Sequence, residues 1–412
     1  MRKLMRWAAA GALLLAAAAV VEVSLESGPA MASPPVASAE ARPYGKIDPY
    51  RPRLGRTRPL VVVVGENSGT ELTDFTIPYG ILKEAGVADV LTASTRPGPI
   101  RMSPALQVRP DLNVGEFDRR YPEGADYVVV PAMEKNEDPL VTAWLAAQAR
   151  KGATLVSICD GALVLANSGV MDGHRGTAHW ATHALREKRY PRTTWLRNAR
   201  YVADRRIVSS AGISAAVPTA IAMVEAIAGR DKAAAMARQL AVADWSNAHD
   251  SEIFRPRAGG NLAAFATIMY TNGWIHRRDQ VGIPLEPGVD EIAVALAADA
   301  WSRTGRSQAY GIAASPAPVV SRHGLTILPD RAGAGPRGID RMLRLPNRPP
   351  GEIFDDVLAQ VRAAYGMKTA YGVALVFEYP WQADRGPDPA LRARSQPRGP
   401  VGHLNSIERS SS

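Results

Sequence analysis

Five short runs of β-branched and aliphatic residues constrain this chain most: Leu60–Val64, Asp89–Ala93, Asp126–Pro131, Ala153–Ile158 and Arg206–Ser210. Apolar runs of this length, bounded by turn residues, read as strands buried on both faces. Four of them lead into stretches with helical spacing: Asp74–Ala85, Pro139–Lys151, Gly161–Ser168 and Ala215–Ala228. Pro139 suits a first helical turn and Gly229 a C-terminal cap. Leu106–Val108 adds a short strand before an acidic loop. Alternation of this kind predicts an α/β layer architecture with a largely parallel sheet, over residues 60–248. Asp250–Gly260 then reads as a linker, and a second region spans 261–380, opening with a helix over Asn261–Asn272. Residues 381–412 are rich in Pro, Arg and Ser, and a disordered tail is expected there.

The chain has 412 residues, 46% of them hydrophobic and 22% charged, enough to bury real cores. A single cysteine excludes intramolecular disulfides and any Cys-rich zinc site. The net charge of +9 is spread without a basic cluster, so it implies solubility, and no nucleic-acid partner is expected. At the N-terminus, Arg2, Lys3 and Arg6 precede an uncharged apolar stretch, Trp7–Val21, followed by Ala30-Met31-Ala32 and Ala37-Ser38-Ala39. Residues 1–32 therefore read as a signal peptide or a membrane anchor, and the folded part is expected to be exported: periplasmic, extracellular or membrane-anchored. Residues 33–59 read as a tether without a core of its own.

An internal repeat runs at an offset of 219 residues. It relates Val62 to Val281, Gly69 to Gly288, Gly86 to Gly305, Pro99 to Pro318, and Pro110-Asp111 to Pro329-Asp330. The second region is thus expected to be a partial copy of the first domain's opening βα units. Its polar residues do not carry over: Asp74 maps to Ala293. The copy is expected to be chemically inert, and either to pack against the first domain or to wall its cleft.

Chemistry concentrates at one place. The strand Thr154–Ile158 runs directly into Cys159-Asp160-Gly161 and then a helix. A nucleophile in a sharp strand-to-helix turn is held exposed at the carboxyl end of the sheet. The helix N-terminus lowers a thiol's proton affinity, and its free N–H groups could receive an oxyanion. The competing reading is a buried cysteine acting as a small hydrophobe.

The stretch Cys159-Asp-Gly-Ala-Leu-Val-Leu-Ala-Asn-Ser-Gly-Val-Met-Asp-Gly-His-Arg-Gly-Thr-Ala-His-Trp180 resembles the elbow region of the PfpI-like, class I glutamine-amidotransferase-like superfamily. Within it, the similarity is to the amidase-like sensor domain of AraC-type regulators and to isocyanide hydratases. Gly69–Pro78, Asp126–Pro131 and Ser210–Ala216 agree with it. The resemblance implies a flavodoxin-like three-layer sandwich with a cysteine nucleophile elbow, followed by the smaller partial-repeat α/β region. It also implies Cys159 as nucleophile, Asp74 as its acidic partner, and His179 at the family's Thr-x-His-Trp position. The alternatives are a helix-start residue for Asp74 and a satisfied buried histidine for His179. Ala132, Asp160 and Gly161 would line the oxyanion hole or pocket.

Two departures matter. Pro131-Ala132-Met133 replaces the family's Pro-Gly-Gly, which puts the oxyanion hole in doubt, and Asp160 replaces the His of peptidase-type members. A negative neighbour opposes thiolate formation unless it points away. No Gly-rich phosphate loop appears, and His174, His179 and His183 lack a carboxylate or Cys at ligand spacing, so neither cofactor nor metal is expected. Three readings stay open: a cysteine-dependent hydratase, lyase or amidase acting on a small electrophile; a non-catalytic sensor or binding module for a small-molecule effector; and a thiol scavenger. The superfamily commonly forms homodimers, and the partial repeat could occupy that surface within one chain.

Overall fold

The computed structural model describes residues 44–333 and 338–382, so the N-terminal targeting segment and most of the C-terminal tail lie outside the described residues. Its central sheet has seven strands in the order Tyr201–Asp204, Ile207–Ser210, Thr154–Ser157, Tyr127–Val130, Leu60–Gly65, Asp89–Ser94 and Leu112–Asn113. Each neighbouring pair is parallel except the first. The alternation of side chains along a strand sends Leu60, Val62 and Val64 to one face. There they join Val128, Val130 and Leu155 in a core roofed by Phe117, Trp144, Leu145 and Val164 from the helices Val114–Arg120, Pro139–Arg150 and Gly161–Asn167. Val61 and Val63 point the other way and are equally buried, where the helix Leu72–Ala85 packs across the sheet and against Ala216–Ala228. Helices thus cover both faces, as a nearly all-parallel sheet requires. Gly86 ends Leu72–Ala85 at φ 65, where a Cβ would meet no other atom. Gly86→Ala is expected to cost about 1 kcal/mol from backbone strain alone, read as a shift in the urea midpoint.

The second region carries elements at the same spacing as the opening elements of the first. The strands Leu60–Gly65, Gln107–Arg109 and Leu112–Asn113 recur 219 residues on as Asp279–Pro284, Thr326–Leu328 and Arg331–Ala332, and Leu72–Ala85 recurs as the helix Glu291–Ser302. Its four-stranded parallel sheet follows the order Arg331–Ala332, Ser307–Ala313, Asp279–Pro284, Arg341–Met342. The copy then lacks the elements that would match Thr154–Ser157 and its neighbours. The helix pair Ala216–Ala228 and Arg230–Gln239 recurs at a different offset, 137, as Pro350–Tyr365 and Met367–Val376. The glycines joining each pair, Gly229 and Gly366, share φ 85 and ψ 167.

The two copies meet as a symmetric pair would. Gln107–Arg109 pairs antiparallel with its own counterpart, Thr326–Leu328, centred on Val108 opposite Ile327. Ser214 N donates to Phe377 O at 2.9 Å and, at the matching positions, Gly351 N donates to Leu240 O at 2.8 Å. The helices Leu72–Ala85 and Glu291–Ser302 lie against one another, close enough that a Cβ on Gly80 would sit 2.9 Å from Glu291 Oε1. Reciprocal contacts of this kind define an isologous interface, formed here within one chain.

Two segments differ from the sequence reading. Residues 44–59 are packed and are no free tether. Arg53 donates to Asp126 at 2.7 Å and to Lys151 O at 2.7 Å, and Tyr50 N donates to Ala226 O at 2.8 Å. The expected linker Asp250–Gly260 is packed in its first half, where Ser251 and Phe254 are buried, and exposed at 257–260; the described residues up to Pro380 form one compact unit. Among the described residues, no helix is long and apolar enough to cross a membrane.

Candidate functional site

Cys159 sits where the strand Thr154–Ser157 gives way to the helix Gly161–Asn167, with φ 53, a left-handed conformation rare for a side-chain-bearing residue. Three backbone bonds hold the turn. Ile158 N donates to Val130 O at 3.0 Å, Cys159 N to Ala211 O at 3.1 Å, and Gly161 N to Ile158 O at 2.9 Å. Gly161 is required because a Cβ there would lie 2.0 Å from Val130 O. The thiol is 6% exposed. Burial pushes it well above the ordinary thiol range, and Asp74, Asp160, Glu71 and Glu378 push it further. A helix N-terminus alone would have done the opposite.

Asp74 lies in the first turn of Leu72–Ala85, fully buried. Its Oδ2 accepts from Ala132 N at 3.1 Å, while Oδ1 has no hydrogen-bond partner. Glu71 caps the same helix, accepts from Asp74 N and donates its own amide to Ala132 O at 2.8 Å. Burial, first of all, raises both carboxyls to about 7. With Oδ2 accepting, the proton of neutral Asp74 belongs on Oδ1.

The remaining expected residues are held elsewhere. The Ala132 amide is committed to Asp74, so it offers no oxyanion donor. Asp160 Oδ1 accepts from Thr182 Oγ1 at 2.6 Å and lies 3.8 Å from the buried Arg186 guanidinium. It therefore turns toward Arg186, though its charge still reaches the thiol. His179 contacts Val376 O through Nε2 at 2.9 Å and accepts from Ala181 N through Nδ1 at 3.2 Å. Both ring nitrogens of His179 are therefore engaged. It is the satisfied histidine of the bland reading, with no lone pair left for a thiol proton.

The second copy is not inert. Asp299 and Arg303, at the end of Glu291–Ser302, join Glu71 and Thr73. Arg303 Nη2 donates to Glu71 Oε1 at 3.0 Å and Arg303 Nε to Asp299 Oδ1 at 2.5 Å, and Thr73 Oγ1 donates to Asp299 Oδ2 at 3.0 Å. Glu378 follows the helix Met367–Val376 and is fully buried. Its carboxylate accepts from Trp180 N at 2.8 Å and pairs with His249 Nε2 at 2.7 Å. Burial would raise it, but His249, His179 and the Trp180 amide outweigh burial and hold it below its ordinary value. His249 stacks on Phe254. Sequence reasoning missed Asp299, Arg303 and His249 altogether. The sequence signal for the first two was an acid and an arginine one helical turn apart, in an otherwise apolar helix.

Residues 60–226 match the DJ-1/PfpI family. Isonitrile hydratase of Pseudomonas putida is 28% identical over 172 residues, covering 40% of this chain and 72% of the hydratase. The HTH-type transcriptional regulator GbdR of Pseudomonas aeruginosa is 30% identical over 93 residues, which cover 23% of this chain and 25% of the regulator. The crystal structure of Drosophila melanogaster DJ-1beta superposes on 46% of this chain and all of its own, with a TM-score of 0.41 and 24% identity. With its nearly parallel, doubly covered sheet, the segment spanning residues 60–226 is a DJ-1/PfpI-family domain.

Proposed function

We propose that this protein is a non-catalytic small-molecule sensor or binding module, in which Cys159 stays a protonated thiol. The observation that carries the reading is the burial of Cys159 in its turn, beside a His179 whose two ring nitrogens are both engaged. A cysteine nucleophile needs a depressed proton affinity or an adjacent base. Here burial and Asp74, Asp160, Glu71 and Glu378 raise the thiol, and both ring nitrogens of His179 are engaged. The similarity to a transcriptional regulator supports effector binding as the role that remains. Asp74 Oδ1 is one buried polar atom left free for a ligand, and Trp180 Nε1 and Arg186 Nε are others. Below about pH 7 Asp74 Oδ1 offers a proton to an acceptor such as a carbonyl, and above that it accepts from a donor. The basic start, apolar run and A-x-A sites of the N-terminus support an exported location.

One specific observation favours a second reading, a hydratase-like enzyme. Cys159 and a carboxyl able to carry a proton near neutral pH occupy one site, as the similarity to isonitrile hydratase would require. The test follows the rate at which Cys159, the lone cysteine, reacts with a small aromatic disulfide from pH 6 to 11. The binding reading expects an apparent pKa above the free-thiol value of about 8.5. An apparent pKa below about 7.5 would sink it and put the enzyme first.

A further inference from the structure

Two-fold related positions of an isologous interface should need the same kind of residue if packing were their only task. At this interface they do not have it. Asp299 rests against Thr73, and its counterpart 219 residues earlier is Gly80, which rests against Ile292, the counterpart of Thr73. Glu378 has φ 52 just past the helix Met367–Val376. Its counterpart 137 residues earlier is Ala241, with φ 55 just past Arg230–Gln239. A glycine and an alanine therefore suffice for the fold at these places. At these two positions the charged residue is the one whose side lies toward the Cys159 turn, while the related side carries its own pair, the buried Glu291 with His323. Among the described residues the second copy has no equivalent of the cysteine turn.

Glu378 is the more telling of the two. Its Cγ and carboxyl carbon lie so close to Gly212 that a Cβ there would come within 2.7 Å and 2.8 Å of them. Gly212 follows Ala211, whose carbonyl holds the Cys159 amide. The carboxylate ties the Trp180 amide and His249 together at that point. A buried carboxylate is costly to bring in, and an alanine in its place would leave His249 and an amide unpaired.

We propose that the second copy is a built-in partner for the first, and that Glu378 is the positioning residue it contributes, fixing Trp180 and His249 over Gly212 and holding a negative charge beside Cys159. The other charged groups around the thiol are Asp74, Glu71, Asp160, Arg186 and Arg303, with His179 and His249 behind Glu378. This inference holds whether the site binds or catalyses. The wild-type thiol profile tests the function, and the difference between variants tests the inference.

The experiment is the disulfide-probe reaction of Cys159 in the full chain, across pH 7 to 11, for wild type, Glu378→Gln, Glu378→Asp and Glu84→Gln. Removing one nearby negative charge should raise the thiolate fraction about tenfold below the apparent pKa. Lower nucleophilicity of that thiolate returns part of the gain, so Glu378→Gln is expected to react about threefold faster. Above the apparent pKa of both proteins the gain should reverse to about threefold slower, because only the lower nucleophilicity remains. Glu378→Asp, which keeps the charge, should stay within twofold of wild type. Glu84→Gln, at the position equivalent to Arg303 in the first copy, should change nothing. The proposal is overturned if Glu378→Gln leaves the rate unchanged, or if its gain persists equally at every pH, as a loosened segment would give. Equal acceleration by Glu378→Asp overturns it too, and that variant decides the matter if Glu378→Gln fails to fold.

Discussion

Asp74→Asn is expected to make the protein more stable at pH 8, by about 2 kcal/mol, and to leave it nearly unchanged at pH 4. Asp74 is fully buried, and its carboxyl is raised from 3.8 to about 7. A group whose proton affinity is higher in the folded state favours folding fully at pH values below its unfolded value. That contribution is lost as the pH rises through the folded value. For Asp74 and Glu71 the loss runs from about pH 4 to about pH 7, because both carboxyls are raised to about 7. A three-unit shift corresponds to about 4 kcal/mol at 1.36 kcal/mol per unit. Asp74 raises Glu71, whereas the Glu71 side chain lowers Asp74, so the relation is one-sided. A buried amide still has to replace its lost hydration, so only about half of that figure is expected to be recovered. Asn keeps an acceptor for the Ala132 amide. Urea unfolding of both proteins at pH 4, 6 and 8 measures the effect, and an equal shift at all three values would show that the Asp74 charge is not what costs stability. A site held in an unfavourable ionisation state is the usual mark of a place kept for something other than stability.

Much of this site was legible because the central sheet is. The runs Leu60–Val64 and Ala153–Ile158 place Cys159 at the end of a buried strand by periodicity, whereas Asp74 was picked out only by the family resemblance of Gly69–Pro78. The second copy was legible where its offset of 219 holds. It became illegible after Arg341–Met342, because the copy omits the matching segment and resumes at offset 137. Carrying the first offset onward sets Glu378 opposite Cys159. In the fold Glu378 corresponds to Ala241, yet its charge reaches Cys159 in space. Residues 33–59 and Asp250–Gly260 were read as connections for their Pro and Arg content. Residues 44–59 are held instead by Arg53 and Arg56 on Asp126, and the start of Asp250–Gly260 by Ser251 N donating to Asn198 Oδ1 at 3.0 Å. Hydropathy is blind to such anchors, since a guanidinium or carboxamide scores the same whether it is solvated or buried against its partner.

The Cys159 turn rests on one glycine, and the largest loss is expected there. Gly161→Ala is expected to cost at least 3 kcal/mol, the upper end of what overpacking costs. The added methyl would sit 2.0 Å from Val130 O and 2.9 Å from Val130 C, both backbone atoms of a central strand. A flexible side chain could swing aside, but this strand is paired with neighbours on both sides and cannot. Relief has to come from moving the helix Gly161–Asn167, and that movement pulls on the Cys159 turn itself. Gly169→Ala makes the control. Its φ is 79 with no atom within 4 Å of the new methyl, so only strain of about 1 kcal/mol is expected. Urea unfolding of the two variants separates steric overlap from strain. If Gly161→Ala retained wild-type stability, the strand and helix would have to part more easily than this packing allows. Cys159 would then be expected to react with the disulfide probe faster, because the contact that closes its turn would already have opened.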